Sequence, residues 1–313
     1  MALTGIVIKS TGNWYQVQSG NEIFQCRIIG KFRLDDKILT NPLGVGDQVE
    51  FELEKDNNGL IKKILPRKNY IVRQSPRQKH HLHMIAANID QAMLVVTLLQ
   101  PNFKQGFIDR YLLMTEPQNI PTVIIINKSD LFESYESELY DELKSIYEGI
   151  GYLILKTSSV TGEGMEKLKS ILSNKVTIIG GQSGVGKSTL INYLQPHLDL
   201  RTTDISEHSG KGTHTTTFAE MYPLDFGGQL IDTPGIKTLS FNNLSPMDVA
   251  HNFREFFLLA KNCKYGDCIH RNEPGCAVKA DIGKGMVHTS RYETYLSILE
   301  EIESQNYWEL HEM

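Results

Sequence analysis

The run Gly180 to Thr189, GGQSGVGKST, follows the β-branched segment 175–179 and leads into the apolar, helix-like Leu190 to Leu194. Gly181, Gly186, Lys187 and Ser188 satisfy G-x-x-x-x-G-K-[ST] between a strand and a helix, the context that gives this pattern a mechanism. Such a loop turns backbone N–H groups toward a phosphate, and the helix N-terminus adds partial positive charge. The expected cradle comprises Gly180, Gly181, Gln182, Ser183, Gly184, Val185, Gly186, Lys187, Ser188 and Thr189. Lys187 is placed to reach the β- and γ-phosphates, and the Ser188 hydroxyl to hold magnesium. A segment of this kind requires an α/β domain around it.

The sequence upstream supplies one. Residues 89–99 and 121–126 are near-continuous apolar runs, separated by a helical 106–116; a helical 137–147 precedes the strand-like 151–155, and a helix over 162–172 follows. Apolar strands alternating with helices imply a mostly parallel sheet covered on both faces. Asn127-Lys128-Ser129-Asp130 closes the second run, at the strand end where such sheets bind ligands. The Asp130 carboxylate can accept from guanine N1–H and the 2-amino group, whereas adenine would face it with a lone pair and be rejected. Asn127 can brace the base or neighbouring loops, and the Lys128 stem can cover the ring. In Thr157 to Gly164, TSSVTGEG, the N–H groups near Ser158 and Ser159 are placed to meet the guanine oxygen.

Downstream, residues 201–217 are polar and end in GTHTTT, a segment suited to switching with nucleotide state. A hydroxyl of Thr215 or Thr216 would complete the magnesium shell. In Asp232-Thr-Pro-Gly235, Asp232 would hold magnesium through water and the Gly235 N–H would sense the γ-phosphate.

Charge distinguishes the amino-terminal end. Residues 1–83 carry 13 Lys+Arg against 8 Asp+Glu, and no acid occurs between Asp56 and Asp90, although the whole chain has a net charge of −5. A basic end of this kind suits a polyanion. Short β-rich runs from Leu3 to about Leu65 suggest a small barrel, of which the five-strand oligonucleotide-binding (OB) type is one option. Lys31, Phe32, Arg33, Lys62, Lys63, Arg67 and Lys68 are the expected RNA contacts; Trp14, Tyr15 and Phe24 are core aromatics or stacking faces. Residues 71–87 read as a basic linker.

Cys263, Cys268, His270 and Cys276 place three thiolates and an imidazole within 14 residues, a closed set suited to one tetrahedral structural zinc. Residues 246–260 look helical, and Tyr292, Tyr295, Leu296, Leu299 and Ile302 recur at helical spacing. The resulting division is an RNA-binding barrel over 1–70, a nucleotide-binding domain over 71–244 and a helical zinc domain over 245–313. No apolar run approaches the ~18 residues of a membrane helix, so a cytoplasmic protein is expected.

The guanine-reading motifs precede the phosphate loop here, the reverse of the usual GTPase order and hence a circular permutation. With VGDQVEF, residues 87–91, IDRYL at 108–112 and the cysteine cluster, the chain resembles the bacterial ribosome small-subunit-dependent GTPase A family over nearly its whole length. That resemblance implies an OB barrel, a permuted GTPase domain, a zinc domain and a role late in small-subunit maturation, with ribosomal RNA bound and GTP hydrolysed on the ribosome. A monomer is expected. Ile236 stands where many GTPases carry a water-orienting glutamine. The resemblance points instead to His214, preceded by Thr213 where the family often has a basic residue. The alternative is an RNA-binding regulator whose GTP site acts only as a switch.

Overall fold

The computed structural model describes residues 2–29, 39–74, 82–198, 219–233 and 244–311. Lys31, Phe32, Arg33, His214, Thr215, Thr216, Gly235 and Ile236 lie outside them.

Strands β1 (Leu3–Ser10), β2 (Tyr15–Ser19) and β3 (Glu22–Ile28) form a meander; β4 (Leu39–Asn41), β5 (Gln48–Leu53) and β6 (Gly59–Ile64) follow. The five strands β1, β2, β3, β6 and β5 close on themselves through the β1–β5 pairing, with β3 and β6 parallel. Alternating inward residues fill this barrel with Val7, Tyr15, Val17, Cys26, Val49, Phe51 and Ile61. Tyr15 is therefore core, Phe24 packs its ring on Phe51 at 5.4 Å, and Trp14 remains exposed.

Residues 71–87 are not a simple linker. Strands β7 (Tyr70–Gln74) and β8 (Leu82–Ala87) pair antiparallel, and β8 also pairs with β4 in a three-stranded sheet. The cations mask an apolar strand pattern: Ile71, Met84, Ile85, Ala86 and Ala87 are buried. Gly46 allows the close fit, since a Cβ there would lie 2.2 Å from the Ala87 carbonyl oxygen.

The next unit runs β9 (Gln91–Val96), α1 (Gln105–Thr115), β10 (Thr122–Asn127), α2 (Ser134–Gly149), β11 (Leu153–Thr157), α3 (Met165–Leu172), β12 (Val176–Gly180), α4 (Lys187–Leu194), β13 (Glu220–Pro223) and β14 (Gln229–Asp232). The sheet order in this unit is β11-β10-β9-β12-β14-β13, parallel except for the antiparallel strand β13. Leu94, Val96, Ile124 and Ile126 pack toward α1 and α2, while Met93, Val95, Val123 and Ile125 pack toward α3 and α4. Both faces are thus buried, which explains the unbroken apolar strands. Strand order reverses between β9 and β12, the crevice where open α/β sheets bind ligands. Strand β13 also pairs with β1 at Glu220 and Lys9, whose side chains form an ion pair at 2.7 Å.

Beyond residue 244 come α5 (Pro246–Asn252), α6 (Arg254–Ala260), α7 (Ala277–Asp281) and α8 (Thr289–His311). The single helix expected over 246–260 is broken at Phe253, which leaves helical geometry to bury its ring against Phe256 and Tyr295. Among the described residues no helix is long and apolar enough to cross a membrane.

Candidate active site

The phosphate loop leaves β12 at the strand-order reversal and enters α4. Its shape depends on glycine at Gly181, with φ of +143° and a Cβ position 2.2 Å from the Val95 carbonyl oxygen, and at Gly186, with φ of +89°. Gly180 lies on the ring of Tyr111 from α1, where a Cβ would meet Cε2 at 2.2 Å. Lys187 Nζ donates to the carbonyls of Gly181 and Gln182 at 2.8 and 2.6 Å, holding its charge over the loop. Burial pushes the Asp232 carboxyl above its ordinary value, with the Lys187 charge opposing. Thr233 secures the strand end by donating to Ile179 O at 3.0 Å.

The Asn127–Asp130 and Thr157–Gly164 loops converge on the same crevice. Asn127 is 1% exposed; its Nδ2 donates to Val185 O at 2.9 Å, and its Oδ1 accepts from Thr157 Oγ1 at 3.0 Å. Lys128 adopts φ of +64° and donates to Gln100 O at 3.0 Å. Asp130 accepts from Ser158 Oγ at 2.5 Å, and that oxygen in turn accepts from the N–H groups of Val160 and Thr161. The motifs read from sequence at Asn127–Asp130, Ser158–Ser159 and Gly180–Thr189 are therefore brought together. Of the partners, Thr157 opens the TSSVTGEG run and Tyr111 lies within IDRYL, whereas Gln100 left no signal in the sequence.

Of the expected RNA cations, the four among the described residues, Lys62, Lys63, Arg67 and Lys68, are all matched by carboxylates. Arg67 donates from Nε and Nη2 to Asp47 at 2.6 and 2.8 Å and to Pro42 O at 2.6 Å, and Asp47 is fully buried. Its guanidinium neutralises an internal acid. Lys62 and Lys63 face Glu52 and Glu50 at 3.4 and 3.5 Å, and Lys68 pairs with Asp90. These three keep exposed side chains, so a polyanion can still compete for them.

In the carboxyl-terminal helical unit the ligating atoms of Cys263, Cys268, His270 and Cys276 lie within 4.8 Å of one another. The Ala277 N–H points at Cys263 Sγ at 3.3 Å and the Lys279 N–H at Cys276 Sγ at 3.4 Å. Glu273 organises the intervening turn by accepting from the N–H groups of Ile269, Arg271 and Asn272. Burial pushes the Cys268 thiol up to about 12 and raises Cys276 as well. A buried sulfur set of this kind becomes thiolate when a cation compensates it, so the residues fit a metal.

This unit docks on α1. Arg291 donates to Asp109 at 2.6 Å and to both oxygens of Glu255 at 2.8 and 2.9 Å, and all three side chains are nearly solvent-free. Arg254 reaches Glu116 at 2.8 Å and lies over the Tyr152 ring at 3.9 Å.

A phosphate loop and an Asn-Lys-x-Asp loop in permuted order, on a doubly wound sheet with an attached barrel, define a circularly permuted GTPase. A family profile described as RsgA GTPase matches residues 64–242, and one described as RsgA N-terminal domain matches residues 4–61. The chain belongs to the RsgA GTPase family. It is 47% identical over 305 residues to a small ribosomal subunit biogenesis GTPase RsgA of Flavobacterium psychrophilum, covering 95% of this chain and 93% of the relative. A Bacteroides fragilis protein of the same name is 44% identical over 306 residues, covering 97% and 99%. Among solved structures it resembles YjeQ from Thermotoga maritima, with TM-score 0.78, 36% identity and coverage of 97% and 99%. It also resembles YloQ, described as a circularly permuted GTPase, with TM-score 0.72, 30% identity and coverage of 97% and 96%.

Proposed function

We propose that this GTPase assists late maturation of the small ribosomal subunit, binding ribosomal RNA and hydrolysing GTP faster on the ribosome than alone. The observation that carries the nucleotide half is the hydrogen bond of Asn127 to Val185 O, which ties the base-reading loop to the phosphate loop. The ribosomal half is supported by the names of relatives similar over nearly the whole chain.

In this reading Asp130 selects guanine, the N–H groups at Ser158 and Ser159 meet its oxygen, and Lys187 leaves Gly181 and Gln182 to contact the phosphates. Ser188, Asp232 and either Thr215 or Thr216 hold magnesium, which neutralises charge on the transferred group when bound. Gly235 senses the γ-phosphate, and His214 orients the attacking water in place of the glutamine that Ile236 replaces. Lys31, Phe32, Arg33, Lys62, Lys63 and Lys68 contact RNA, whereas Arg67 is assigned to the barrel. The protein works as a cytoplasmic monomer.

Zinc is the metal proposed for the cysteine cluster. Tetrahedral zinc, at about 2.3 Å from sulfur and about 2.0–2.1 Å from nitrogen, spaces those ligands roughly 3.5 Å apart. His270 Nδ1 lies 3.7 and 3.4 Å from the Cys263 and Cys276 sulfurs. Four protein ligands leave no open position, which gives a structural role.

The test is GTP turnover with and without bacterial small ribosomal subunits, for the wild type, Lys187→Ala and His214→Ala. Stimulation that disappears in His214→Ala while nucleotide binding persists is expected. Turnover unaffected by subunits would remove the ribosomal reading, and turnover that survives in Lys187→Ala would remove the catalytic one.

A further inference from the structure

The two loops expected to read guanine are joined by a side chain of the second loop to which neither motif reading gave a role. Glu163 Oε2 accepts from Ser129 Oγ at 2.6 Å, and its Oε1 pairs with Lys156 Nζ at 2.9 Å. Ser129 precedes Asp130, and Lys156 leads from β11 into the Ser158 turn. One carboxylate thus spans the base-reading loop, the end of β11 and the loop after it.

The backbone aims Glu163 at this position. Its carbonyl accepts from the Ser158 N–H at 3.0 Å, and its neighbours Gly162 and Gly164 both have positive φ, +82° and +72°. A Cβ at Gly164 would lie 2.2 Å from Lys156 O, so the turn folds tightly onto the strand it follows. The Ser129 hydrogen bond and the Lys156 charge hold the Glu163 carboxyl below its ordinary value, as an engaged anion.

We propose that Glu163 is a positioning residue that staples the Asn127–Asp130 loop to the Thr157–Gly164 loop and thereby sets both the dwell time of guanine nucleotides and their discrimination from hypoxanthine nucleotides. This rests on the guanine assignment above. Asp130 approaches the base from one loop and the Ser158–Ser159 backbone from the other, so their separation determines whether both engage one purine. Inosine diphosphate lacks the 2-amino group and registers a misplaced Asp130 as a reduced preference.

The test is dissociation of ribose-labelled fluorescent GDP from the wild type, Glu163→Ala, Glu163→Gln, Ser129→Ala, the Ser129→Ala/Glu163→Ala double variant and Asp130→Ala, with competition by unlabelled GDP and inosine diphosphate. One charge-assisted hydrogen bond at a partly exposed site corresponds to about fivefold to tenfold faster release in Glu163→Ala and Ser129→Ala, with no further increase in the double variant. Glu163→Gln, which keeps the acceptor for Ser129, is expected to restore most of the dwell time. The GDP preference over inosine diphosphate should fall severalfold in Glu163→Ala. A general loosening of the fold would leave that preference intact and would not be rescued by glutamine. Wild-type release and preference in Glu163→Ala, with nucleotide lost in Asp130→Ala, would overturn this proposal alone. Undiminished binding in Asp130→Ala would overturn the guanine assignment and this proposal together.

Discussion

Asn127 and Val185, 58 residues apart, are joined by a 2.9 Å hydrogen bond from the Asn127 side-chain amide to the Val185 carbonyl inside the phosphate loop. Gly186 completes the contact, because a Cβ there would come within 2.5 Å of Asn127 Nδ2. The Asn127–Asp130 segment and the phosphate loop are therefore tied directly to each other, although permutation places the first before the second in the chain.

Replacing Asn127 by alanine leaves the Val185 carbonyl and the Thr157 hydroxyl without this partner. Each buried orphan costs about 1–3 kcal/mol. Asn127→Ala should consequently lower the melting temperature and weaken GDP binding at least about tenfold. Calorimetric titration checks it: wild-type affinity would show that the brace is dispensable.

Tyr111 supports the start of the phosphate loop, and its buried hydroxyl finds no hydrogen-bond partner among the described residues. Tyr111→Phe keeps the ring beneath Gly180 and removes the orphan, so it should be neutral or stabilising by about 1 kcal/mol. Gly180→Ala, by contrast, forces the ring to move and should cost about 1–3 kcal/mol. Urea unfolding should show a loss in Gly180→Ala and none in Tyr111→Phe.

Arg67 behaves as a structural cation. Its removal in Arg67→Ala strands the fully buried Asp47 carboxylate, a loss of about 3–5 kcal/mol. Thermal unfolding should register it. The salt dependence of RNA binding, measured where the variant is still folded, should keep its wild-type slope; a slope shallower by about 0.7 for single-stranded RNA would return Arg67 to the phosphate contacts.

The Asp109–Arg291–Glu255 cluster holds two carboxylates against one guanidinium, and Asp109 Oδ2 has no hydrogen-bond partner among the described residues. Burial raises the Asp109 carboxyl above its ordinary value despite Arg291. A raised folded value means the native state favours the proton. The stabilising contribution is complete below the unfolded value and is lost as pH rises through the folded one. Asp109→Asn has no such loss, so the stability of wild type relative to this variant should decline from the ordinary carboxylate range toward neutrality. Urea unfolding across that range checks the slope, and a flat or rising difference would contradict it. Arg291→Met, which leaves both acids unpaired, should lose about 3–5 kcal/mol.

Several parts of the molecule are legible in the sequence alone because their chemistry is local. Gly181, Gly186, Lys187 and Ser188 stand in one short run, the three cysteines and the histidine of the cluster lie within 14 positions, and buried parallel strands leave apolar runs. The barrel was legible from short alternating strands, although the cations of 71–87 concealed β7 and β8.

The sequence by itself determined the nucleotide loop, the guanine motif, the cysteine cluster and their permuted order, each written in contiguous or closely spaced residues. Only the tertiary structure decided that Arg67 serves Asp47, that Glu163 reaches Ser129, and that Arg291 joins Asp109 across 182 residues. Pairings of this kind leave no period along the chain. A charged side chain has the same appearance in sequence whether it meets solvent, RNA or a buried acid, and the packing of distant elements selects among them.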